Sequence, residues 1–190
     1  LSFDGLTVAI GAHVNNGSGS GSGHVRVYQN VAGSWSQIGQ DIDGEAAGDA
    51  SGYSVSLSDD GETVAIGAHN NDGNGSNSGH VRVYQNIAGS WSQIGNDING
   101  EAASDYSGSS VSLSADGTTL AIGARDNDGN GTTSGHVRVY QNVAGTWSQI
   151  GQDINGEAAG DYSGESISLS ADGSTLAIGA HYNDGNGPNS

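Results

Sequence analysis

The sequence predicts an all-β protein, a β-propeller of four-stranded antiparallel blades, and three observations carry that prediction. A 56-residue unit recurs, since Gly-His-Val-Arg-Val-Tyr-Gln-Asn begins at Gly23, Gly79 and Gly135. Each unit holds four short runs of alternating apolar and polar residues separated by turn residues. Glycine is abundant, at 34 residues against a single proline, and no stretch carries the 3.6-residue apolar period of a helix.

The third unit shows each element in order. Ser109 to Ser114 sets Val111 and Leu113 on one face and reads as strand A; Ala115-Asp116-Gly117 then supplies a hairpin turn of the Asp-Gly type. Strand B, Thr119 to Ala124, opposes Leu120 and Ile122 to Ala121 and Gly123, a large face and a small one, as a strand packed between neighbouring sheets requires. A polar loop from Arg125 to Gly135 leads to strand C, His136 to Gln141, where Val137 and Val139 alternate with His136, Arg138 and Tyr140. A turn around Ala144-Gly145 returns the chain into strand D, Thr146 to Ile150, anchored by Trp147.

Serial four-stranded units of this length match propeller blades stacked around an axis. A β-solenoid is the alternative, but its rungs are shorter and parallel, whereas the Asp-Gly turn demands antiparallel pairing. The 190 residues hold about 3.4 units: a partial blade at 1–51, blades at 52–107 and 108–163, and a partial blade at 164–190. Both ends fall inside a unit, so the expectation is a segment of a longer array, with its edges covered by further blades of the same chain or by other copies.

Composition narrows the function. The chain has 21 acidic residues against 4 arginines and no lysine, a formal net charge of −17. Nucleic acid and anionic membrane are disfavoured as partners, and no apolar run is long enough to span a bilayer. Carboxylate-rich loops suit hard cations. Cysteine is absent, so neither disulfides nor a thiol nucleophile are available.

Gly108-Ser109-Ser110-Val111-Ser112-Leu113, then Leu120-Ala121-Ile122-Gly123-Ala124, then Gly135-His136-Val137-Arg138-Val139-Tyr140 resembles the FG-GAP repeat of α-integrin-type propellers, in the variant form of microbial surface proteins. Ser107-Gly108 and Ala124-Arg125 replace the namesake pairs. The resemblance implies an extracellular or cell-surface propeller used in adhesion. It does not carry over the family's calcium loop, because the A–B hairpin here is only the short Ser114–Thr118 turn, in which Asp116, like Asp60 and Asp172, serves the turn itself.

The better calcium candidate is the loop between strands B and C. Asp126, Asp128 and Asn130 alternate before Gly131, the oxygen spacing that opens an EF-hand-like loop, and Ser134 is placed to complete it; Asn70, Asp72, Asn74 and Ser78 are the counterparts one unit earlier. A glycine-rich turn closed by Asx hydrogen bonds explains the same residues equally well. The D–A loops, with Asp97, Asn99, Glu101 and Asp105 in one unit and Asp153, Asn155, Glu157 and Asp161 in the next, are the second cation candidate, and their plain reading is blade-to-blade capping. Both loops emerge on one face, which is expected to be electronegative. His24, His80 and His136 recur, but no ligand pair stands at a recognised spacing within one unit. Arg26, Arg82 and Arg138 are expected to pair with neighbouring carboxylates on exposed strand faces. Trp35, Trp91 and Trp147 read as blade packing, or as one sugar platform per blade. Asn16, Asn74 and Asn130 open glycosylation sequons.

No catalytic constellation is present in the sequence, and carboxylates that recur in every unit are what scaffolding looks like. The expected function is therefore a non-enzymatic extracellular module for adhesion or assembly, with cell-surface proteins or glycans as partners and calcium in its loops. A glycan-binding propeller with one site per blade is the alternative.

Overall fold

A computed structural model of the chain describes residues 1–185 and 187; positions 186 and 188–190 of the last expected partial blade lie outside the described residues. Among the described residues every regular element is a strand, and every pairing between named strands is antiparallel. The first sheet holds β1 (Thr7–Ala12), β2 (His24–Val31), β3 (Ser34–Gln37) and β4 (Ile42–Asp43). The second holds β5 (Ser54–Leu57), β6 (Thr63–Ala68), β7 (His80–Ile87), β8 (Ser90–Gln93) and β9 (Ile98–Asn99). The third repeats it as β10 (Ser107–Leu113), β11 (Thr119–Ala124), β12 (His136–Val143), β13 (Thr146–Gln149) and β14 (Ile154–Asn155). β15 (Ser166–Leu169) and β16 (Leu176–Gly179) form a two-stranded sheet. This is the propeller architecture that the repeat predicts.

Register repeats with the sequence: Thr7 faces Gln29, Thr63 faces Gln85 and Thr119 faces Gln141. The A–B turns close as expected, Asp60 accepting from Ser58 Oγ at 2.6 Å and from the Glu62 amide at 2.9 Å. Strand D differs from the single run read in the sequence. β8 pairs with the far half of β7 and β9 with its first two residues, so the outer strand is interrupted between them. Strand A of the third blade also starts two residues earlier than expected, through a bulge between Ser107 and Ser110.

The core lies between blades. A single sheet has no interior, so each blade must bury its faces against its neighbours. Val25, Val27 and Ile42 of the first blade pack on Val64, Ile66, Tyr84 and Trp91 of the second. One seam further, Ala65, Val81, Val83 and Ile98 pack on Leu113, Leu120, Ile122 and Tyr140. The large face of strand B thus meets the preceding blade. Its small face meets the next, where a Cβ at Gly67 would strike the Gly108 carbonyl. Innermost strands are tied across seams, as Ser56 Oγ accepts the Leu113 amide and Ser112 Oγ the Leu169 amide, both at 3.0 Å.

This packing corrects one expectation. The mixed face of strand C is not exposed: Arg82 and Arg138 are each 6% exposed, enclosed by the preceding blade. Only Arg26, on the first blade, has an exposed side chain, and it turns onto Asp41 of its own sheet.

Candidate functional site

The B–C and D–A loops meet on one face and hold each other. The amides of Gly100, Ser104, Tyr106 and Ser107 donate to the carbonyls of Gly79, Ser76, Asn77 and Ser78. Buried Asp105 accepts the Ala102 amide through Oδ2 and, from the next blade, Asn127 Nδ2 at 3.1 Å. Asp49 and Asp161 do the same with Asn71 and Asn183. These aspartates join consecutive blades.

The proposed cation residues divide between two roles. Asn130 Nδ2 donates to the carbonyls of Gly156 and Glu157, both at 2.9 Å, and Ser134 Oγ bridges the Asn130 amide and the Asn127 carbonyl. Asn74 and Ser78 make the corresponding bonds to Gly100, Glu101 and Asn71. Asp72 and Asp128 each accept a loop amide, from Asn77 and Thr133. Asn70 donates its amide to the Asp49 carbonyl. Asp126 and Asp128 also line a cleft of about 310 Å³ with Tyr106, Tyr162, Ser104, Thr132 and Thr133. Burial raises the Asp126 carboxyl above its ordinary range, against the pull of Arg125 beside it. Of the sequon asparagines, Asn74 and Asn130 use Nδ2 in the loop-to-loop bonds, and Asn16 accepts the Gly21 amide.

Beside the cleft runs a ladder of rings. His13 stands edge-on to Tyr53, Tyr53 lies 3.8 Å from His69 with the rings tilted by 42°, and His69 lies 5.8 Å from Tyr106. Arg125 continues it, 6.0 Å over Tyr106 and paired with Glu165 at 3.1 Å. Here the units differ. Arg125 replaces the histidine of His13, His69 and His181, and Tyr53 gives way to Ser109 and Glu165.

Two of the three tryptophans are committed to the seams. Trp91 is 4% exposed and donates Nε1 to the Ile38 carbonyl of the preceding blade; Trp147 donates likewise to Ile94. Trp35, on the first blade, is 48% exposed.

The repeated histidines gather carboxylates, and at His80 and His136 these come from two units at once. His80 meets Glu45 and Asp97, His136 meets Glu101 and Asp153, and His24 meets Asp41 and Asp43, each set with ligand atoms within 4.8 Å of one another. Spacing within one unit does not show them, because Glu45 and Glu101 come from the blade before. The available signal was the coincidence in every repeat of a strand-opening histidine and an acid in the D–A loop.

A family model described as the FG-GAP repeat matches residues 42–84, 99–140 and 155–190. No curated protein matches the chain in sequence. Among solved structures, the Pseudomonas aeruginosa periplasmic gluconolactonase PpgL is similar at 19% identity and a TM-score of 0.56, over 94% of this chain and 48% of that one. A protein provisionally described as a 6-phosphogluconolactonase, from Bacteroides uniformis ATCC 8492, is similar at 14% identity and 0.58, over 83% and 41%. The complex of KlAtg21 with the coiled-coil of AgAtg16 is similar at 15% and 0.54, over 84% and 45%. The chain spans under half the length of each, and at these identities the likeness shows the fold alone.

Proposed function

This chain belongs to the FG-GAP repeat family, and on that premise we propose that it works without catalysis, as an extracellular module for cell-surface adhesion or structural assembly. One observation carries the reading: the units agree where blades meet and differ along the rim of rings on the loop face. Seams repeat because every blade must fit the next; a rim free to vary is where a partner is met. Tyrosine, histidine and arginine there supply rigid contact area with polar tips. Beads coated with the chain are expected to adhere to cell monolayers, and a Tyr53→Ala/Tyr106→Ala variant to lose most of that adhesion. Coated beads that bind no better than albumin-coated ones would overturn the proposal.

Calcium in the B–C loops belongs to this reading, supported by the Asp126 and Asp128 carboxylates that face the cleft. Those loops are already closed by hydrogen bonds, so calcium is expected to raise Tm only slightly over chelator at equal ionic strength.

The cleft also favours a second reading, glycan binding. Two tyrosine rings with two carboxylates and three hydroxyls suit a polyhydroxylated ring. On a glycan array, binding abolished by Tyr162→Ala and kept by Trp147→Phe would select it. The lactonase names of two structural neighbours bring one further test: hydrolysis of gluconolactone above its spontaneous rate would refute the non-enzymatic assignment.

A further inference from the structure

His80 opens β7 on the face turned to the preceding blade, and its side chain is 1% exposed. Nδ1 points between two carboxylate oxygens, Glu45 Oε2 at 3.9 Å and Asp97 Oδ2 at 4.0 Å. Both separations exceed hydrogen-bond reach. Nε2 is buried without a partner. The next seam repeats the arrangement, His136 Nδ1 lying 3.9 Å from Glu101 Oε2, with Asp153 as the third ligand and Nε2 again unpartnered. An enclosed imidazole aimed at oxygens too far to bond leaves a gap of a particular size. Metal–ligand bonds to nitrogen and carboxylate oxygen are about 2.0–2.2 Å, so ligands that share an ion stand about 3–4 Å apart.

The arginines organise this gap rather than fill it. Arg82 Nη1 lies 3.5 Å from Glu45 Oε1, the oxygen not facing the histidine, while Nη2 donates at 2.8 Å to the Asp43 carbonyl. Arg138 repeats both contacts, 3.6 Å from Glu101 Oε1 and 2.9 Å from the Asn99 carbonyl. A partner on the outer oxygen orients a ligand carboxylate and leaves the inner one free. The first blade differs. There Asp41 is held by Arg26 on both oxygens, Nε at 3.0 Å and Nη2 at 2.8 Å, whereas Asp97 and Asp153 carry only the glutamine bond that all three share, at 2.7 Å on Oδ1, and Asp97 keeps Oδ2 towards the histidine.

We propose that each of these two seams binds one divalent transition ion of the zinc class, held by Glu45, His80 and Asp97 at one and by Glu101, His136 and Asp153 at the next. One imidazole with two carboxylates is a borderline donor set, softer than the all-oxygen sets calcium prefers. Solvent completes the coordination through the carboxylate side, where Glu45 and Asp97 are 45% and 31% exposed. Because the glutamate and the histidine come from different blades, the ion staples the seam. This assignment stands apart from the adhesion reading and does not depend on it.

Isothermal titration of the chelator-treated chain with zinc chloride tests it. The expected stoichiometry is two ions per chain, falling to one in His80→Gln or His136→Gln, to none in the double variant, and staying at two in His24→Gln. Zinc is expected to raise Tm in the parent and not in the double variant. If the histidine variants do not fold, Glu45→Gln and Glu101→Gln, at half-exposed positions, are each expected to weaken one site at least tenfold. No saturable zinc binding, a stoichiometry unchanged in the double variant, a zinc affinity unchanged in both glutamine variants, or calcium binding of equal affinity that is lost in the double variant would overturn the proposal.

Discussion

His69 is a buried imidazole whose protonation the fold opposes. It lies against Tyr53, is 8% exposed, and has a buried Nδ1 without a partner. Burial, helped by Arg125 and His13 and opposed by Glu165, lowers its pKa from 6.5 to about 4. Burial does the same to His80, also to about 4, and moves His136 in the same direction. In the unfolded chain these imidazoles take up protons below 6.5, while in the folded chain they stay neutral. Their contribution to stability is therefore complete above the unfolded value and is lost as pH falls from 6.5 towards 4. Tm measured by calorimetry from pH 8 to pH 4 is expected to be flat at first and then to drop across that window, with a shallower drop in His69→Phe; an unchanged slope in that variant would remove His69 from the account. The arginines give a paired test. Arg138→Ala is expected to cost about 2–3 kcal/mol in urea unfolding, less than for a fully buried pair because Glu101 is half exposed. Arg26→Ala, at the exposed equivalent, is expected to change little.

At the scale of the element, strand B decides how closely blades approach. Gly67 and Gly123 leave room for the carbonyls of Gly108 and Gly164 and for the hydroxyls of Ser54 and Ser110. Ser54 Oγ donates to the Gly108 carbonyl at 2.7 Å, and Ser110 Oγ to that of Gly164 at 2.6 Å. Gly123→Ala would place a methyl group against backbone and is expected to destabilise by about 3 kcal/mol. Gly145 has φ of 84° in an open turn, so Gly145→Ala should cost only about 1 kcal/mol of conformational strain. Equal losses in the two variants would mean the seam is looser than described. The sequence anticipates this element well, because Leu120-Ala121-Ile122-Gly123 displays the large and small faces directly. Strand C it reads only in part. His136, Arg138 and Tyr140 look like a solvent face, yet a neighbouring sheet covers them, and no pattern within one strand reports what lies opposite.

Over the whole molecule, the core is shared between sheets, so no blade is expected to unfold independently of its neighbours. Trp91 shows the coupling, since it fills the seam below the Ile38 carbonyl. Trp91→Ala should cost about 3–5 kcal/mol, whereas Trp35→Ala, with half of its ring in solvent, should be nearly neutral by the same calorimetric measure. The net charge of −17 acts over longer distances. Mutual repulsion among carboxylates is screened by salt, so Tm should rise as sodium chloride increases from about 10 mM towards 0.5 M, most steeply at the low end where the Debye length is longest. A Tm independent of salt would mean that the carboxylates are already neutralised locally.

The 56-residue period, the alternation within each run and the Asp-Gly turns were enough to determine the propeller and three of the four strands, because those features act between residues near in sequence. The two-part outer strand was not visible, since Ile98 and Asn99 pair with β7 only after the chain has left the ladder and returned to it. The B–C loops could be read as acidic turns, but not that Asn130 would spend its amide on the next loop while Asp126 and Asp128 faced a cleft. The seam clusters were beyond the reach of spacing altogether. Glu45 and His80 belong to different units, and their meeting is set by how one sheet lies on the next. Local periodicity fixes what each blade is; what each pair of blades encloses depends on packing between faces distant in sequence, and tertiary structure alone decided that.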